Sequence, residues 1–242
     1  MPKITANPKS TTLLALLDRM GRNSLYGNSS GCDAMTMVSD SLRQGVALMK
    51  EGDRPHAIDL LQRGLVSLRD STALLRSASE GRCTGSADDS LLLTALPGLR
   101  CTTERSPGSP SILVFDQAIC FANEDTMDFE SASSATLYNL GLIYHGNAIE
   151  TGSASMYRKA TKLYRMALSV LDGCPDRHDV LYLALCNNIC HSANALGDEE
   201  GYEHFRVLLM YRVSTCFDRS SEVYDVFFWN AFQLNGPGAG AA

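Results

Sequence analysis

The chain has 242 residues, 45% of them hydrophobic and 20% charged, with a net charge of -6. That length is enough for one large domain with a real core or for two small ones, and the balance is ordinary for a soluble globular protein. A mildly acidic chain is a poor general binder of polyanions, so nucleic acid is not an expected partner. Eight cysteines (Cys32, Cys83, Cys101, Cys120, Cys174, Cys186, Cys190 and Cys216) are irregularly spaced and form no CxxC pair. They read as reduced thiols in a reducing compartment.

Residues 1–31 are expected to form an N-terminal arm. Ser10 can cap a short helix over Thr11–Met20, which Gly21 can end. Leu13 to Leu17 is too short for a secretory core and is closed by Asp18 and Arg19. No run approaches the ~18 apolar residues of a membrane span. The expected location is therefore intracellular, cytoplasmic or nuclear, with no membrane contact.

Residues 32–234 are expected to be one helical domain. Met35, Val38, Leu42 and Leu48 recur at helical spacing over Ala34–Lys50. Glu51-Gly52-Asp53 breaks that helix, and Asp53 can cap a second one, to about Ser77, with Ala57, Leu61, Leu65 and Leu68 on its buried stripe. Two amphipathic helices joined by a short break make an antiparallel pair. Residues 79–131 change character, as an irregular insertion rich in Gly, Ser, Thr and Pro, with a linker at Ser106–Pro110. Ile112 to Phe121 is densely apolar. It reads as a strand paired with Leu91–Leu96 in a β-hairpin, or as a short helix, and periodicity leaves both open. Helices follow over Ser133–Asn147, from Ser153 to about Leu171, over Asp179–Leu196 and from Asp198 to about Phe217. A last one runs from Ser220 or Ser221 through Phe227, Phe228 and Phe232. The tail 235–242 is Gly, Pro and Ala and should be loose.

One constellation carries a family likeness. Leu137, Leu140, Gly141 and Tyr144 have the spacing L-x2-L-G-x2-Y; Ala160, Tyr164 and Ala167 follow as A-x3-Y-x2-A, and then Pro175. This resembles the tetratricopeptide repeat (TPR). Gly45, Leu48, Ala57, Leu61 and Gly64 take the matching positions of a first unit, with the family's twelve-residue step from Gly45 to Ala57. The corresponding step from Gly141 to Ala160 is nineteen residues, and a third pair around Ile189-Cys190 and Ala193 fits more loosely. No tryptophan opens a repeat. The resemblance implies an all-α fold of about three stacked antiparallel helix pairs, a TPR-like α-solenoid interrupted by the insertion. Gly141, Ala160 and Ala167 would let the paired helices approach closely, and stacking would bury faces that one pair cannot bury alone.

The resemblance also implies a function. In that family the first helix of each pair lines a concave groove that takes a segment of a partner protein. The groove candidates here are Leu42, Val46, Met49, Tyr138, Asn139, Leu142, His145, Asn187, His191 and Asn194. One subtype clamps a partner's C-terminal carboxylate. Its positions fall on Leu42, Val46, Asn139, Ala184 and Asn188, none of them a cation. A buried carboxylate without a positive partner is costly, so a neutral or amphipathic segment of another protein is the expected ligand. The alternative is a structural subunit that buries its C-terminal aromatic face in a larger assembly. The two differ in whether the free chain is a soluble monomer.

Other features are weighed against this. Arg158, Lys159, Lys162 and Arg165 carry four positive charges on one helix, and Arg158, Lys162 and Arg165 share a face. They read as a solvated outer face, or as a dock for an acidic partner or phosphate. Cys186, Cys190 and His191 have the look of metal ligands but lack a second cluster, and read as core residues. None of the five histidines sits in a nucleophile context, and neither a G-x-S-x-G nor a phosphate loop is present. The expectation is a non-enzyme with no cofactor and no metal.

Overall fold

In a computed structural model of the chain, residues 31–75, 91–96, 102–103, 112–122, 127–171, 178–215 and 223–232 are described. The Thr11–Met20 helix, the 106–110 linker and the 235–242 tail lie outside them. Seven helices and two small two-stranded sheets make up the described residues. The helices are α1 (Gly31–Glu51), α2 (Arg54–Leu75), α3 (Phe129–Thr151), α4 (Ala154–Leu171), α5 (Asp179–Leu196), α6 (Glu199–Thr215) and α7 (Val223–Phe232). The strands are β1 (Leu91–Ala95), β2 (Thr102–Thr103), β3 (Ile112–Leu113) and β4 (Gln117–Phe121).

The helix breaks follow from local chemistry. Gly52, Gly152 and Gly197 all have positive φ, and each ends the first helix of a pair. Asp198 accepts from the Gly201 N–H at 2.9 Å and so caps α6. Asp128 accepts from Ser131 N–H at 2.7 Å, which starts α3 at Phe129, four residues before the expected Ser133.

Two-residue turns fold α1 on α2, α3 on α4 and α5 on α6, and each helix packs on the next along the chain. The close approach expected at Gly141 is present: a Cβ there would lie 2.5 Å from the Tyr164 ring. Gly45 meets Leu61 in the same way at 2.9 Å. Larger residues at these two positions would push the paired helices apart.

The apolar run 112–121 is extended, as β3 and β4. β1 and β4 pair antiparallel, with Leu91 opposite Phe121 and Ala95 opposite Gln117. Of the two structures open for the insertion, the hairpin of 91–96 with the following run is the one formed. Its strands do not stand off from the helices. β4 packs on α1 and α3, and β3 on α5 and α7. Phe115, Ile119 and Phe121 are fully buried in the same core as Leu42, Tyr138 and Leu181. Helices α3 and α5 are consequently covered on nearly every side, with no charged residue from Ser131 to Ile149 or from Val180 to Leu196.

Candidate functional site

The first helices of the pairs, together with α7, line a channel, and the chain's own segment 112–121 lies in it. β4 uses one edge for β1; Leu96 N–H extends that ladder by donating to Asp116 C=O at 3.1 Å. Main-chain polar groups alternate from edge to edge along a strand. Residues 113, 115, 117 and 119 therefore turn theirs away from β1, towards the helices, where side chains receive them.

Three asparagines do most of this work. Asn139 on α3 accepts from Ile119 N–H at 3.0 Å and donates to Ile119 C=O at 2.6 Å. Asn188 on α5 treats Phe115 likewise, at 2.9 and 3.0 Å. Asn230 on α7 does so with Leu113, at 2.9 and 2.6 Å, and also donates to the Asn187 side-chain carbonyl at 2.6 Å. Asn187 adds a second bond to Leu113 C=O at 3.0 Å. Between them, the Tyr138 hydroxyl donates to Gln117 C=O at 2.9 Å. A carboxamide offers one acceptor and a donor pair in a plane, so it can replace a neighbouring strand. It reads main chain, whatever side chain the segment carries.

The sequence-derived groove residues fall here, but not on a free surface. Leu42, Val46, Met49, Tyr138, Asn139, Leu142, His145, Asn187 and His191 are all buried, and Asn194 is half-buried. The expectation of an open groove at these positions is corrected: segment 112–121 of the insertion fills it. Asn139 and Asn188, the amides at the carboxylate-clamp positions, are both occupied by internal main chain. Asn230 was missed altogether. Its signal was weak, a lone amide in an aromatic helix; the charge-free stretches 131–149 and 180–196 were the stronger sign that no concave face meets water.

Deeper in the stack, His145 Nδ1 lies 3.1 Å from the Tyr164 hydroxyl and His145 Nε2 lies 2.8 Å from His191 Nδ1. Burial drives His145 well below the usual imidazole range, with His191 adding to the effect, and burial takes His191 down to about 3. Both rings are neutral at pH 7 and act as buried hydrogen-bonding links. Burial raises the Cys190 thiol, which donates weakly to Tyr202 C=O at 3.8 Å. Cys120, Cys186 and Cys190 are free thiols, and among the described residues no group of three or more His, Cys, Asp or Glu could hold a metal.

Two outer surfaces contrast with this sealed interior. Among the described residues, four of the six large exposed apolar side chains belong to the last two helices: Val207 and Tyr211 on α6, Phe228 and Trp229 on α7. Tyr211 is 69% exposed and Trp229 50%. The second is a cleft beside α4, lined by Arg158, Lys162 and Arg165. No described helix is long and apolar enough to cross a membrane. No family model, curated protein or solved structure matches this chain.

Proposed function

We propose that the chain is a non-catalytic protein-interaction module, a TPR-like stack of three helix pairs closed by α7, whose partner docks on its C-terminal end rather than in its channel. The observation that carries this is the distribution of apolar surface. Groups that would grip a ligand in the channel are spent on the chain's own segment, whereas α6 and α7 leave Val207, Tyr211, Phe228 and Trp229 in water. Aromatic side chains are the usual anchors of protein interfaces, because they bury large area at small entropic cost. A neutral or amphipathic segment of another protein suits them. The close Gly141–Tyr164 and Gly45–Leu61 contacts support the repeat assignment. The buried, neutral His145 and His191 support a structural role over an acid–base one.

A permanent subunit would use the same face, and light scattering separates the two. A reversible module is a helical monomer alone, while an obligate subunit self-associates until its partner is supplied. The test of the face itself is capture of a partner by the tagged chain, repeated with Tyr211→Asp and Trp229→Asp. The proposal requires retention by wild type and loss by both variants with unchanged helicity. A partner held equally by all three would remove it.

A further inference from the structure

We propose that the cleft beside α4 is a second docking site, which takes an acidic segment of a partner protein. The cleft has a volume of about 630 Å³ and lies between α4 and the turn joining α5 to α6. Arg158, Lys162 and Arg165, at i, i+4 and i+7, line it from one face of α4 and are all exposed. At 1.5 Å rise per residue their Cα atoms span about 10 Å. Met166 and Leu196, both half-buried, give it an apolar lining.

The charges in this cleft are not internally balanced. Arg158 and Lys162 have no ion-pair partner among the described residues. Arg165 has Asp198 at 3.9 Å, a carboxylate already engaged as the cap of α6, and lies 5.3 Å from the centroid of the Phe205 ring. Other cations of the chain are better placed: Arg54 grips Glu150 at 2.5 Å, Arg212 meets Asp179 at 2.5 Å, and Lys159 stands 3.8 Å above the Tyr144 ring. On a chain with 27 acids and 21 Lys and Arg, three cations facing one acid in a concavity is a local reversal of sign.

The geometry selects the ligand. A single phosphate needs donors that converge on one point, whereas these cations are strung along the helix. That spacing matches successive carboxylates on a peptide, with an apolar residue between them against Met166 and Leu196. A nucleic acid would bring a long polyanion to a chain of net charge -6, and the repulsion away from the cleft disfavours it. A short acidic segment meets the cleft alone. Its lining shares no residue with the exposed Val207, Tyr211, Phe228 and Trp229.

The test is fluorescence anisotropy on the full chain, with a short labelled peptide in which Glu and Asp alternate with Leu. Saturable binding is expected, weakening about tenfold from low to high ionic strength as the charges are screened. Lys162→Glu and Arg158→Glu should each weaken it about tenfold, since each replaces an attraction by a repulsion. Lys159→Glu, with the same change in net charge but away from the cleft, should bind within about twofold of wild type. Inorganic phosphate should not displace the peptide at equal ionic strength, and a labelled single-stranded oligonucleotide should bind more weakly. All three substituted positions are exposed, so the variants should keep the wild-type circular dichroism spectrum. No saturable binding, equal loss in Lys159→Glu and Lys162→Glu, displacement by phosphate, or preference for the oligonucleotide would each overturn the proposal.

Discussion

Asn188→Ala removes the side chain that holds Phe115 by both of its main-chain groups. Phe115 N–H and C=O are then left buried without that partner. An unsatisfied buried polar group costs about 1–3 kcal/mol, so two cost about 2–6 kcal/mol. The Tyr138 hydroxyl, 3.3 Å from Phe115 C=O, recovers part of the acceptor's loss and favours the lower half of that range. For a domain of this size each kcal/mol moves Tm by about 2–4 °C, and the expected fall is roughly 5–12 °C. Circular dichroism melts would give the shift, and amide exchange would show faster exchange across 113–119 than in α4. A variant that melts within about 1 °C of wild type, with 113–119 still protected, would refute the reasoning.

Acid should destabilise the fold through the histidine pair. His191 ionises near 6.5 when unfolded but only at about 3 when folded, so the unfolded chain binds the extra proton and stability falls as pH drops below 6.5. The loss for His191 alone is about 2 kcal/mol by pH 5, with His145 acting in the same direction, and denaturant melts of His191→Leu should lack that share of the slope. Arg212→Ala should cost about 3 kcal/mol in a urea melt, because it strands the largely buried Asp179 carboxylate 2.5 Å away. Glu150→Gln breaks the bidentate pair with Arg54 between the first and second helix pairs. That pair is partly exposed, so the cost should stay within about 1 kcal/mol and shrink in high salt. Gly141→Ala should lower Tm by several degrees, since its methyl group must displace the Tyr164 ring.

Much of the helical frame is legible in the sequence because its signals are local. Asp198 and Gly197 mark a turn wherever it lies in space. The Gly141–Tyr164 contact is legible from residue type, a glycine facing a large side chain one helix later, although the step of 23 residues differs from the 16 between Gly45 and Leu61. The pairing of 91–95 with 117–121 is one of the two structures these apolar runs leave open, and periodicity does not choose between them. The fate of the insertion is not legible in this way. Its strands are held by Asn139, Asn187, Asn188 and Asn230, residues that bind any main chain and leave no complementary pattern in the segment they bind. Reading the groove as open followed from the resemblance, while the absence of charge around α3 and α5 argued the other way. The burial of Leu42, Tyr138 and His145 is the result.

Hydrogen exchange followed by mass spectrometry on the native full chain tests the central claim most directly. If the segment 113–121 occupies the channel, its amides exchange as slowly as those of α3 and α5, at close to the global unfolding free energy. Exchange of 113–121 within seconds, with α3 and α5 still protected, would mean that the channel is open and that its asparagines are free for a partner.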